Sequence, residues 1–302
     1  MNKVAVLMST YNGEQYLSEQ IDSILSQEGV DVTLFIRDDV SKDATITIIK
    51  AYLNRTNRVV LISGERNLGP ERSFKVLLDR AYHYGDFEYF AYADQDDIWM
   101  SKKLFVAINR ICDISKPALY GSNQYIYMNG LNKGLRFDEP PDTSLISSMS
   151  NNRVSGCTMV FNSILAKEMV SRLYDNEFFR GEKMHDTWTA VTANILGDFI
   201  YDRDAYILYR QHNNNVVGVK QETLLDKVYL QKKRKNAKKL FAEAILSCFN
   251  DVSIKEYEAL NSLSTYDQSI SSKIRLIKLA KRYRYFGLNK FVFISKVLSG
   301  WL

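Results

Sequence analysis

Apolar positions along the first hundred residues follow two alternating rhythms. Short unbroken runs occur at Val4-Ala5-Val6-Leu7-Met8, Val32-Thr33-Leu34-Phe35-Ile36, Val59-Val60-Leu61-Ile62 and Tyr89-Phe90-Ala91-Tyr92-Ala93. Their length and β-branched or aromatic content predict strands at about 3–8, 32–36, 59–62 and 88–93. Between them the apolar spacing changes to a helical period. Leu17, Ile21, Ile24 and Leu25 fall on one face of a helix over about 14–27, and a second helix is predicted from about 43 to 54. A third opens at Gly69-Pro70, with proline in the first turn, and runs to about Tyr84. Strands alternating with helices of this length predict βαβ units and a mainly parallel, twisted sheet. Ligands of such sheets bind outside the carboxyl ends of the strands. Thr10-Tyr11, Asp38-Asp39 and Asp94 to Asp97 all lie at those ends, so one site can collect them.

The pattern then changes. Residues 118–128 and 153–161 read as strands, separated by a long loop containing Asp138-Glu139-Pro140-Pro141-Asp142. A loop of that length inside a domain reads as a mobile substrate flap. Helix is predicted over 185–196, a hairpin or paired strands over 198–209, a polar loop over 211–219, and helices from there to the end. Residues 220–302 carry 17 Lys and Arg against 7 Asp and Glu, leaving 23 basic and 28 acidic residues in 1–219. An acidic body with a basic tail predicts a boundary there, with a domain over 1–219 and a basic helical region over 220–302.

Composition narrows the class. Hydrophobic residues make up 46% of the 302, and charged ones 25%, which fits a globular fold and not a disordered chain. Cys112, Cys157 and Cys248 are odd in number and far apart, so neither a disulfide framework nor a cysteine zinc site is expected. Residues 4–8 are too short for a signal segment, and no apolar run reaches the roughly 20 residues that span a bilayer. A cytoplasmic protein without an integral membrane anchor is expected.

Four polar constellations carry the candidate chemistry. Asp94-Gln95-Asp96-Asp97 follows a buried aromatic strand, and clustered carboxylates suit a hard cation such as Mg²⁺ or Mn²⁺. The plain alternative is an acidic turn capping a helix near Ser101. The second acidic strand end, Arg37-Asp38-Asp39, tips the balance toward a site. There a carboxylate can accept from a nucleobase imide or a ribose hydroxyl, or simply cap the following helix. His185-Asp186-Thr187-Trp188 sets a carboxylate beside an aromatic, where desolvation suits a general base; a helix N-terminus with Trp188 in the core is the alternative. Arg210-Gln211-His212 offers an imidazole for a metal shell and a guanidinium for phosphate, against a plain surface loop. The third histidine, His83, sits late in a helix and reads as structural.

Taken together, Ser9-Thr10-Tyr11-Asn12-Gly13, Arg37 to Asp43, Asn67-Leu68-Gly69, Asp94 to Trp99, Met184 to Trp188 and Tyr209 to His212 resemble glycosyltransferase family 2. The likeness is greatest to the bacterial rhamnosyltransferase-type branch that builds cell-surface polysaccharides, and it covers roughly residues 1–220. It implies a GT-A fold with a C-terminal helical extension, and inverting transfer from a nucleotide-diphosphate sugar. On that resemblance Thr10, Tyr11 and Asp39 hold the nucleoside, and Asp94 lies near the ribose or sugar. Asp96 binds Mg²⁺ or Mn²⁺ with His212 as a further ligand, and Asp186 is the base that deprotonates the acceptor hydroxyl. Val154-Ser155-Gly156-Cys157-Thr158 resembles the strand lining the donor sugar and acceptor. dTDP-rhamnose is the first donor implied, with UDP-hexoses behind it. Val40 and Ala44 replace both glycines of the family turn; if the first needs a positive φ, valine there is strained.

The tail adds partners. Between Lys273 and Phe286, Leu276, Leu279, Ala280, Tyr283 and Phe286 fall on one helical side, and Arg275, Lys278, Lys281 and Arg282 on the other; Lys232 to Lys235 and Lys238-Lys239 add a second basic cluster. Such faces predict helices lying on an anionic membrane, where a lipid-linked saccharide acceptor would be met. Alternatively the apolar side packs on the main domain or a second subunit, which leaves a homo-oligomer open. No motif supports nucleic acid. Two other functions compete: a sugar-nucleotide pyrophosphorylase, which expects a glycine-rich basic loop after the first strand, and a non-catalytic relative, which Val40 keeps open. A P-loop kinase is excluded by the lack of GxxxxGK[ST].

Overall fold

The computed structural model describes residues 1–173, 184–212 and 236–302. Its first half is the expected alternation: β1 (Asn2–Thr10), α1 (Leu17–Leu25), β2 (Val30–Asp38), α2 (Thr45–Leu53), β3 (Val59–Ile62), α3 (Gly69–Tyr84) and β4 (Tyr89–Ala93). β1 pairs in parallel with β2 and β4, and β2 with β3. β5 (Ile98–Trp99), α4 (Lys103–Ile111), β6 (Ala118–Met128), β7 (Leu131–Leu135), α5 (Leu145–Asn151), β8 (Val160–Asn162), α6 (Ser163–Leu173), α7 (His185–Leu196) and β9 (Asp198–Arg210) follow. The sheet order is β3-β2-β1-β4-β8-β6-β9-β5, with β7 paired to β6; β8 and β5 run antiparallel to their neighbours, and β6 and β9 are parallel. This mainly parallel, helix-flanked mixed sheet is the fold class the sequence implied.

Both faces of the sheet are covered, which explains the unbroken apolar runs. Val4, Val6 and Met8 of β1 join a core with α1, α2 and α4. Ala5 and Leu7 point the other way, into a core with α3, α6 and α7. The parallel register brings Thr10 level with Asp38 and Met8 level with Ala93. The polar residues just beyond therefore emerge along one edge, as a period of two and a common strand direction dictate.

Several sequence expectations change. The predicted flap between 128 and 153 is not a long loop: β7 folds back on β6 as a hairpin, and α5 follows. Asn129 and Gly130 make that reversal at positive φ (52° and 77°), a short-turn signal hidden in a polar stretch. The strand expected over 153–161 reduces to Val160–Asn162, because Gly156–Thr158 turn as one 3₁₀ unit. Residues 198–210 form one long strand with irregular register against β6, not a hairpin.

The tail comprises α8 (Ala237–Cys248), α9 (Tyr257–Thr265), α10 (Ile270–Ala280) and α11 (Lys290–Ser299). Its apolar residues belong to the same core as Ala5, Leu7 and Phe90. Phe241 meets Trp188 edge-on at 4.6 Å, and Arg172 binds both oxygens of Asp251. Leu276, Ala280 and Phe286 are fully buried, and Leu279 and Tyr283 pack against that core. The apolar side foreseen as lipid-facing is thus spent on protein, since burying it there removes it from water without any other surface. The 219/220 boundary, the polar loop beyond His212 and the Lys232 to Lys235 cluster lie outside the described residues. No helix among the described residues is long and apolar enough to cross a membrane.

Candidate active site

Two loops at the strand ends are joined mostly by side chains. Thr10 donates to Asp38 Oδ1 at 3.0 Å, and Asp38 also accepts from the backbone N–H of Ser41 at 2.9 Å. The Asn12 N–H donates to Ser41 Oγ, the Lys42 N–H to Asn12 Oδ1, the Gly13 N–H to Thr45 Oγ1, and the Ala44 N–H to Glu14 Oε2. These bonds satisfy loop amides that no ladder reaches. Gly13 lets Gln95 come close: a Cβ there would lie 2.4 Å from Gln95 Oε1, so the Gln95 side chain would have to shift. Gln95 in turn bonds both backbone groups of Tyr11, tying the end of β1 to the acidic turn after β4.

Of the nucleoside contacts the resemblance implies, Tyr11 is exposed while Thr10 and Asp39 are buried. Asp39 accepts from the backbone N–H groups of Leu68 and Gly69, at 2.7 and 2.8 Å, and from the Arg37 guanidinium. Burial opposes its ionisation, but these donors outweigh burial and hold its carboxyl below the usual range. Next to it, Val40 has φ of +67°. The missing glycine does leave a β-branched residue in the left-handed region.

Asp94, Asp96 and Asp97 converge beyond β4. Burial, reinforced by the negative charge of Asp96, pushes the Asp94 carboxyl up to about 7, and Asp186 adds to the same effect. Asp97 is completely buried; burial and its two acidic neighbours push its carboxyl well up. Its Oδ1 accepts from the Arg210 backbone N–H at 3.0 Å, whereas Oδ2 has no hydrogen-bond partner. A ligand atom of Cys157 lies within 4.8 Å of those of Asp94 and Asp97. Two residues beyond β9 stands His212, whose Nε2 is 2.8 Å from Asp96 Oδ2. The pair foreseen as metal ligands is therefore brought together across 116 residues. Crowded carboxylates with an imidazole, and one buried oxygen left over, make an oxygen-rich donor set that fits Mg²⁺ or Mn²⁺.

Arg210 does not stand ready for phosphate. Its guanidinium donates to Glu19 Oε2 and to the Asp96 carbonyl at 2.7 Å, and it lies over Tyr16. It fastens β9 to the acidic turn. The polar reading of His185 is also corrected. Its ring stacks on Phe74 at 3.8 Å and meets Tyr92 edge-on at 4.5 Å, with neither nitrogen hydrogen-bonded. Burial lowers its pKa to about 3, so it is neutral packing material. Asp186, one residue on, lies in the first turn of α7 and accepts from the Thr187 N–H, near enough to Asp94 and Tyr92 to affect their ionisation. Trp188 is in the core, as the plain alternative held.

Sequence reading missed two cations. Lys103 is buried, 3.5 Å above the Trp99 ring, and its burial brings its pKa down to about 7; Asp97 and Cys157 oppose that shift. On an amphipathic helix it looks like any surface lysine. Arg136 of the hairpin donates to Ser155 Oγ at 2.6 Å and lies over Tyr209. No signal in the sequence brought it to the site, since β7, which ends one residue before it, was read as loop.

Known proteins resemble this chain in sequence and fold. The sequence profile of Glycosyl transferase family 2 matches residues 5–173, more than half of the chain. A dTDP-rhamnosyl transferase, RfbG of Shigella flexneri, is 29% identical over 214 residues, covering 70% of this chain and 73% of the relative. WfgD of Escherichia coli, a UDP-Glc:α-D-GlcNAc-diphosphoundecaprenol β-1,3-glucosyltransferase, is 24% identical over 247 residues, covering 72% and 94%. Among solved structures, TarS residues 1–349 of S. aureus, in complex with UDP-GlcNAc, superposes with a TM-score of 0.58 at 16% identity, covering 92% of this chain and 79% of that one. The acidic strand ends, the curled sheet and the profile match agree: the chain belongs to glycosyl transferase family 2 and has its GT-A fold.

Proposed function

We propose that this transferase moves a sugar from a nucleotide-diphosphate donor to a hydroxyl of a growing, lipid-linked cell-surface polysaccharide, inverting the anomeric centre. The observation that carries this reading is the contact of Asp96 with His212 beyond β4, next to Asp94, whose pKa is also raised by Asp186. Tyr11 offers an exposed ring beside the nucleoside, with Thr10 and Asp39 forming the floor beneath it. Asp94 faces the ribose or the donor sugar. A bound Mg²⁺ or Mn²⁺, held by Asp96 and His212, would neutralise charge on the departing diphosphate. Asp186 accepts the proton of the acceptor hydroxyl as that oxygen bonds to the anomeric carbon. The bond from that carbon to the diphosphate oxygen breaks, and the nucleoside diphosphate leaves with the electron pair. One displacement inverts the centre.

The donor is dTDP-rhamnose, the reading favoured by the likeness to the Shigella enzyme. A UDP-hexose is the second reading, favoured by the glucosyltransferase likeness, which also supports a lipid-diphosphate acceptor. A thermal-shift panel of nucleotide sugars, with and without Mn²⁺, separates them. The expected result is stabilisation by dTDP-rhamnose that depends on Mn²⁺ and disappears in Asp96→Ala. Stabilisation by a UDP-hexose alone would reverse the donor assignment, and a shift unaffected by metal would remove the metal from the account.

A further inference from the structure

The exposed apolar residues of the tail are not those its helical wheel suggested. α10 and α11 turn Leu276, Ala280, Phe293 and Val297 inward, yet leave a second apolar surface outside. Ile270 and Phe291 are each 77% exposed, and Ile274, Val292 and Leu298 are exposed as well. The two exposed sets meet where Lys273 Nζ on α10 donates to the Leu298 carbonyl near the end of α11, at 2.8 Å. A shallow groove on α11, lined in part by Phe291, Val292, Ser295 and Lys296, continues the patch. Residues 268–302 contain eight Lys and Arg and no Asp or Glu.

From this surface we infer that the outer face of α10 and α11 docks on an anionic phospholipid bilayer, with Phe291 as its leading apolar side chain. The inference deepens the lipid-linked-acceptor reading and rests on it only for its purpose. Charge selects the occupant. A two-fold contact between copies sets the same patch against itself, so it would bring cations against cations with no carboxylate from this segment to offset them. A bilayer bearing anionic headgroups supplies the opposite sign, and its acyl boundary takes exposed Phe, Ile and Leu side chains. Neither contribution alone holds a protein firmly; together they act as two signals. The inner face of the same helices is continuous with the sheet core. Docking therefore fixes the catalytic domain relative to the membrane instead of leaving it on a tether.

The test is flotation of the full chain with phosphatidylcholine vesicles, with and without phosphatidylglycerol. Binding is expected only with phosphatidylglycerol, and it should weaken as salt rises because the attraction is screened. Phe291→Ser with Leu298→Ser should lose roughly tenfold or more in partitioning, from the apolar area no longer buried. Lys290→Gln with Lys296→Gln should lose several-fold. All these side chains lie outside the active site, so melting temperature and nucleotide-sugar binding should be unchanged. Wild-type protein that ignores phosphatidylglycerol vesicles at low salt overturns the inference. So does a Phe291→Ser, Leu298→Ser variant that floats as well as wild type. A concentration-dependent dimer that this variant abolishes, without vesicle binding, would assign the face to a second copy instead. Donor binding in the same samples keeps the two readings separate: protein that binds donor but not vesicles sinks only the membrane face.

Discussion

Val40 shows how single residues depart from the family pattern at a measurable cost. At φ of +67° a β-branched residue is strained by about 1–2 kcal/mol. Glycine would relieve this but lose part of the gain to the entropy of the unfolded chain. Val40→Gly should therefore raise stability by about 0.5–1 kcal/mol, read from urea unfolding; a loss of stability would show that the turn does not need that φ. His185 gives a second residue-scale prediction. Between its ordinary pKa of 6.5 and about 3, the unfolded chain takes a proton at this ring that the folded chain refuses. More protons bound in the unfolded state means that stability falls as pH drops through this window. His185→Phe should flatten that fall, in urea midpoints measured between pH 7 and 4. An unchanged slope would mean that the ring is not buried neutral. The acidic residues were legible in the sequence because a buried aromatic strand cannot end in three carboxylates without a reason. Lys103 and Gln95 were not, since nothing local distinguishes a lysine under a tryptophan, or a glutamine bridging two loops, from surface residues.

Elements were read most securely where periodicity was long. α3 and the four parallel strands stand where the pattern placed them, whereas α1 and α2 begin two or three residues later than expected. β6 was read over its full length, but β7 was unreadable as strand, since all five of its residues are exposed and polar alternation has no buried face to reveal it. Where elements join, closeness matters more than propensity. Gly197, between α7 and β9, has no room for a side chain: a Cβ would lie 1.7 Å from the Pro117 carbonyl oxygen. Backbone must move to admit one, so Gly197→Ala should cost about 2–3 kcal/mol. A melting temperature equal to wild type would refute that packing.

For the whole molecule, charge asymmetry drew a line that the core does not respect. The basic tail differs in composition from the body, yet α8 to α11 share a core with the sheet, through Phe241 on Trp188 and Arg172 on Asp251. Composition reports surface charge, while burial decides what folds together. Phe241→Ala should then destabilise the entire protein by about 3–4 kcal/mol, with tail and sheet melting in a single transition. Two separate transitions, with only the first affected, would restore an independent tail.

The central claim is the proposal that Asp186, in the first turn of α7 and felt at Asp94, is the base. A base that acts only as the acceptor is deprotonated contributes to turnover and not to donor affinity. The most direct measurement is sugar transfer by Asp186→Asn beside calorimetric binding of the nucleotide-sugar donor. The account predicts unchanged donor affinity with transfer reduced by about 10²–10⁴-fold. Transfer at the wild-type rate would contradict it.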